Sequence, residues 1–157
     1  MRDDIASFAL LLDEGFNRAA WHGPNLLGGL RGLTVEQLLR RPRRKGHNIW
    51  ELAVHCAYWK YAARRRLVGG PRSTFPIKGS NFFPRNPGLT LADWAKDLAL
   101  LKVQHRALKA TVLGLDPNRL DHRVLKSKDT VRRLVLGIAA HDIYHAGQIS
   151  LLKRLDG

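Results

Sequence analysis

One cysteine and one methionine are all the sulfur this chain carries. A single thiol, Cys56, excludes an internal disulfide, so stability must come from packing alone. No stretch approaches the roughly 18 uninterrupted apolar residues of a membrane span. The opening "MRDDIASFALLLDEGF" places acids where a secretory signal would have a basic region, so a soluble, cytoplasmic protein is expected. Strand signals are nearly absent, because no window alternates apolar and polar residues for long. Repeats and low-complexity runs are missing too. Acidic residues are scarce: 13 Asp plus Glu face 27 Lys plus Arg, a formal charge of +14.

That excess gathers in "RRPRRK" (40–45), "RRR" (64–66) and Arg132-Arg133. It fits two readings, a solvated arginine-rich surface or a footprint for nucleic acid or another polyanion. No nucleic-acid module or basic-aromatic interleaving accompanies the charge, which favours the solvated surface and leaves the polyanion as the alternative. With 157 residues, 45% of them hydrophobic, and no compositional break, the chain suits one domain over residues 1–157.

Four long amphipathic segments account for most of it. The first, from about Asp3 to Ala20, sets Ile5, Phe8, Leu12, Phe16 and Ala19 on one face before Gly23 and Pro24 stop it. A short helix is expected at "TVEQ", whose Thr34 has capping-box spacing. The second long helix opens at Asn48 with Glu51 three residues on, and carries the stripe Asn48, Leu52, His55, Trp59, Ala62. Thr90 and Asp93 open the third, with Leu91, Trp94, Leu98, Leu101, His105, Leu108 and Val112 aligned. The fourth begins near Asp129 or Thr130 and aligns Leu134, Ile138, His141, His145, Ile149 and Leu152. An all-α four-helix bundle follows, with a long connection, residues 69–88, between helices two and three. Phe75, Phe82 and Phe83 of that connection either tack it to the core or cover a bundle end as a lid.

Histidines inside apolar stripes raise a chemical question. His141 and His145, four apart, put two imidazoles on one face, a spacing that can chelate one ion. His55 lies about two turns into helix two. If helices two and four run antiparallel, the three rings reach similar depth and can bind a borderline divalent metal, zinc or nickel first, with a position open for water or substrate. The alternative is core histidines satisfied by local hydrogen bonds.

"AWHGPN", "HNIWELAVHCAYW" and "AAHDIYHAGQISLLKR" together resemble the DinB/YfiT superfamily of metalloenzymes, in order and spacing over nearly the whole chain. The resemblance implies a four-helix bundle with a long crossover and a divalent ion on three histidines, here His55, His141 and His145. Characterised members of the resembling superfamily include transferases and isomerases that use low-molecular-weight thiols such as bacillithiol and mycothiol. It therefore implies a small-molecule substrate and thiol-dependent transferase-like chemistry. Metal-dependent hydrolysis stays open beside it, as do a basic polyanion-binding module, a dimerising interaction domain and a homodimer.

Several further residues are candidates for the pocket. Glu51, one turn before His55, can orient it, act as a base or simply cap the helix. Gln148 belongs to the matched motif and can bind a ligand or a neighbouring helix. Trp59 is either core or an aromatic wall, and His47 either flanks the pocket mouth or lies outside the N-cap. Asp142 points about 100° away from His141, toward solvent or a supporting role. His105 reads as core, Cys56 carries no nucleophilic role, and Trp21 and His22 match the motif without a derivable one.

Overall fold

The computed structural model describes residues 2–42, 46–69, 75–124 and 127–155. Arg43, Arg44 and Lys45 of the first basic cluster, and residues 70–74 of the long connection, lie outside the described residues. Six α-helices follow in chain order: α1 (Arg2–Phe16), α2 (Leu26–Gly29), α3 (Val35–Leu39), α4 (Ile49–Val68), α5 (Leu91–Leu113) and α6 (Val131–Leu155). The long ones, α1, α4, α5 and α6, form the bundle.

Capping decides where these helices begin. Thr34, Asn48 and Thr90 each close a full capping box, with Gln37, Glu51 and Asp93 answering from the third helical position. Gly69, at φ 76°, ends α4 in the left-handed conformation that a residue without Cβ adopts freely. Helix α1 is shorter than its apolar pattern suggests. It stops at Phe16, where both Asn17 and Arg18 donate backbone N–H groups to the Asp13 carbonyl. Ala19 and Ala20 continue the periodicity but have left the helix.

Each long helix packs on two others, which gives a ring in the order α1, α5, α4, α6. Near the starts of α4 and α5, Trp50 meets Trp94 edge-on and donates its indole N–H to Asp97 at 2.7 Å, so these two helices run parallel. Arg132, at the start of α6, reaches Asp4 at the start of α1, which makes that pair parallel as well. The topology is up, down, down, up. Parallel α4 and α5 need a connection that spans the bundle's length, and residues 69–90 supply it.

Two apolar clusters fill the interior. One holds Phe16, Leu26, Leu38, Trp50, Ala57, Leu101, Ala146 and Ile149. The other holds Ile5, Leu12, Ala63, Leu108, Val112, Val135 and Ala139. Between them, at the same level on all four helices, lies a polar layer: Asp13, Lys60, His105 and Asp142. Phe16 sits in the middle of it, with His105 stacked on its ring at 3.8 Å and the Lys60 ammonium 5.0 Å from its centroid. Lys109 and His105 share the Asp13 carboxylate at 2.5 and 3.2 Å, and Lys60 pairs with Asp142.

Burial corrects two stripes. Leu91 is exposed, because it opens α5 beyond the edge of its neighbours. In α6 the most deeply buried line runs through Val135, Asp142, Ala146 and Ile149, all with no accessible surface. Asp142 therefore points into the bundle and not toward solvent, and its charge is matched by Lys60 from α4. The histidines of α6 flank that line on the side facing α4. Among the described residues, no helix is long and apolar enough to cross a membrane.

Candidate metal centre

The start of α4 is tied down from three directions. Glu51 accepts two hydrogen bonds from the Arg41 guanidinium at 2.9 and 2.5 Å, one from the Arg85 backbone N–H at 3.0 Å, and pairs with His47 Nδ1 at 3.1 Å. Asn48 donates through Nδ2 to the Arg85 carbonyl at 2.9 Å. The end of the long connection is thus pinned to the head of α4. Burial pushes the Glu51 carboxyl upward, but the Arg41, Arg85 and His47 bonds outweigh it and hold the group below its ordinary range. Glu51 is consequently a structural anion. Its contacts are committed to the cap and the connection, and none of them is to His55.

One turn later His55 meets both α6 histidines. His55 Nε2 lies 3.0 Å from His141 Nε2, which lies 3.1 Å from His145 Nε2. The outer nitrogens are engaged differently. His55 Nδ1 faces the Asn81 carbonyl at 2.9 Å, an oxygen that only accepts, so Nδ1 carries the proton and Nε2 presents its lone pair. Gln148 donates through Nε2 to the Tyr144 hydroxyl at 3.0 Å, which leaves its carbonyl oxygen for His145 Nδ1 at 2.7 Å. His145 therefore also presents a bare Nε2. His141 Nε2 can donate to one of these two neighbours only, so at least one inward lone pair has no proton to meet.

That arrangement suits a cation. Burial, with further help from the neighbouring imidazoles, pushes His55 down to about 4 and His141 down to about 3, and burial lowers His145 as well. All three rings are neutral at pH 7, the form in which imidazole binds a metal. Among the described residues two groups have donor atoms close enough to hold an ion: His55, His141 and His145, and separately Cys56, His141 and Asp142. The first opens onto a pocket. The second is closed in, because Cys56 and Asp142 have no accessible surface.

The pocket has a volume of about 730 Å³, and Leu52, Trp59, Phe82, Tyr144, Leu151 and Leu152 supply most of its apolar wall. His47, expected either at the pocket mouth or outside the N-cap, and Gln148, expected to bind a ligand or a neighbouring helix, both line it. Trp59 is half-buried and donates its indole N–H to the Asn81 side chain at 3.0 Å, which makes it wall as well as core. The three phenylalanines of the connection divide the work. Phe83 is buried and Phe75 packs on Tyr58 and Tyr61, whereas Phe82 is sandwiched between His55 at 4.0 Å and His47 at 3.6 Å. Cys56 lies in the core, where burial pushes its thiol far above the ordinary value, so it is an inert side chain there.

Sequence reasoning missed Asn81 and Lys60. Asn81 sits at φ 65°, the left-handed region that asparagine tolerates better than most residues, and this turns its carbonyl toward His55. "GSN" in a proline-rich connection signals a turn, but nothing in it signals the partner. Lys60 has no accessible surface, which a long cationic side chain in a helix does not advertise.

A family model described as the DinB superfamily matches residues 19–149. No curated protein and no solved structure matches the chain.

Proposed function

The chain belongs to the DinB superfamily, and from that premise we propose that it is a metal-dependent enzyme whose ion is held by His55, His141 and His145. The convergence of three imidazole Nε2 atoms within 3.0 and 3.1 Å steps, with two of them held unprotonated by Asn81 and Gln148, carries this reading. Zinc and nickel are among the ions that an all-imidazole set suits. A divalent ion there supplies Lewis acidity, which makes a thiol or a water nucleophilic at neutral pH.

The chain's own residues do the rest. Asn81 and Gln148 fix two rings by their Nδ1 atoms, the outer-partner role that orients histidine ligands. Leu52, Trp59, Phe82 and Leu152 hold an apolar substrate body and exclude water, in a volume that admits an organic molecule of moderate size. Tyr144 and Gln148, hydrogen-bonded to each other at the pocket wall, offer polar contacts to the substrate. We favour thiol-dependent transfer onto an apolar electrophile, since such a wall binds the carbon body of either partner. Hydrolysis is the neighbouring chemistry.

The test is elemental analysis of chelator-free protein beside a His55→Ala/His141→Ala variant. Near-stoichiometric metal in the parent, lost in the variant, is expected. A screen of low-molecular-weight thiols with alkyl and aryl electrophiles, run beside ester and amide hydrolysis, then separates the two chemistries. Equal trace metal in both proteins removes the proposal and turns attention to the basic surface.

A further inference from the structure

We propose that the buried Lys60–Asp142 ion pair positions His141, with Asp142 Oδ1 as the acceptor for the Nδ1–H that this ring carries when its Nε2 is given to an ion. The inference rests on the three-histidine reading above.

The starting point is an imbalance among the three rings. His55 and His145 each have an acceptor on Nδ1, whereas His141 Nδ1 is buried without a partner. Without metal this is tolerable, because the His141 proton can sit on Nε2 and point at a neighbouring Nε2. An ion on Nε2 forces that proton to Nδ1, where it becomes a buried donor. A buried donor left unpaired loses its hydrogen bonds to water with nothing in return.

A buried acceptor without a partner lies on the neighbouring residue. Asp142 is inaccessible, gives Oδ2 to Lys60, and leaves Oδ1 buried with no partner. A carboxylate oxygen of Asp142, the Cys56 thiol and a ring nitrogen of His141 lie within 4.8 Å of one another. An orphan acceptor and a prospective orphan donor on adjacent residues complete each other. Metal-bound imidazoles characteristically donate their second N–H to a carboxylate or carbonyl. Asn81 and Gln148 serve two of the rings in that way, and Asp142 serves the third. Lys60 occupies the other carboxylate oxygen, Oδ2, in a place with no accessible surface.

Stability does not explain the pair. A hydrophobic pair of similar volume is often as good as or better than a buried ion pair, while breaking the pair by removing one partner is costly. The informative variant therefore removes both partners. Lys60→Met/Asp142→Leu is expected to fold with a urea midpoint equal to or above the parent's, yet to bind Co²⁺ roughly 10–100-fold more weakly, with an altered visible spectrum. Lys60→Met/Asp142→Asn, which keeps an amide oxygen as acceptor, is expected to recover about tenfold of that loss. Cys56→Ala is expected to bind one Co²⁺ per chain as the parent does.

Unchanged Co²⁺ affinity and spectrum in both double variants would reduce the pair to a packing layer and overturn the inference. Two Co²⁺ per chain, one of them lost in Cys56→Ala, would make Asp142 a ligand and overturn it as well. If the parent binds no Co²⁺, the three-histidine reading itself fails and takes the inference with it. That outcome is told apart because the variants and the parent are then alike from the first titration.

Discussion

His55 and His105 share burial and a lowered pKa but stand in different surroundings. Each is buried, and each is pushed down to about 4, with burial as the largest cause. They part company in what their nitrogens face. His105 commits its Nε2–H to Asp13 at 3.2 Å and lies flat on Phe16. His55 commits its Nδ1–H to a backbone carbonyl and aims a bare Nε2 at a second imidazole beside a 730 Å³ pocket. Burial and a depressed pKa therefore do not identify a candidate ligand. The direction of the uncommitted lone pair does.

Replacing each kind of histidine is the strongest way to break the comparison. His145→Ala is expected to weaken metal binding by more than the ~10–100-fold that loss of an outer partner costs. His105→Ala should leave metal affinity unchanged while lowering unfolding stability by about 2–4 kcal/mol, from the cavity beside Phe16 and the unpaired Asp13. Calorimetric metal titration and urea unfolding of both variants measure the two effects. Comparable metal loss in both would mean that the two histidines are not functionally distinct.

The sequence carried the bundle and one half of this distinction. Three capping boxes, four apolar stripes and a proline-rich connection are local features, so α3, α4 and α5 begin where Thr34, Asn48 and Thr90 indicate, and α6 begins just after the expected Asp129 or Thr130. His55, His141 and His145 were recognisable as a set because helical spacing and antiparallel packing bring them to one depth. The polar layer was not recognisable. Asp142 looks like an outward-facing acid until Lys60 is known to stand opposite it, and that pairing joins helices 82 positions apart. Asn81 was equally hidden, since its part is played by a backbone carbonyl that any residue possesses. Helical periodicity reports which face is buried, not which buried charge has found a counter-charge.

Acid separates the two regions by a smaller margin. The unfolded chain protonates histidine near 6.5, whereas folded His105 resists until about 4. The unfolded state therefore binds the proton first, and stability is fully present above about pH 6.5 and declines as pH falls toward 4. At about 1.4 kcal/mol per pH unit, His105 alone accounts for a loss on the order of 3 kcal/mol across that window. His105→Gln should flatten the fall by one proton in urea midpoints measured between pH 7 and 4. Saturating zinc should move the share due to the three clustered histidines to lower pH while leaving the His105 share in place. An unaltered slope in His105→Gln would mean that His105 does not resist protonation in the fold.

The smallest effect falls on Asn81, and it asks whether a loop carbonyl is what distinguishes His55 from His105. Asn81 contributes through two separate groups: its side chain accepts from Trp59, and its carbonyl, turned by φ 65°, accepts from His55. Asn81→Gly loses the first and keeps the second, because glycine adopts positive φ without strain. It should cost about 1 kcal/mol or less in stability and leave metal affinity within about threefold of the parent. Asn81→Val loses the side-chain bond equally but resists positive φ through its branched Cβ, so the carbonyl must move. Metal affinity is then expected to fall several-fold further in Asn81→Val than in Asn81→Gly, while the Asp13–His105 contact, with no connection residue in it, is unaffected. Equal affinities in the two variants would show that His55 holds its tautomer without Asn81, and its fixed orientation would then have to come from Phe82 stacking alone.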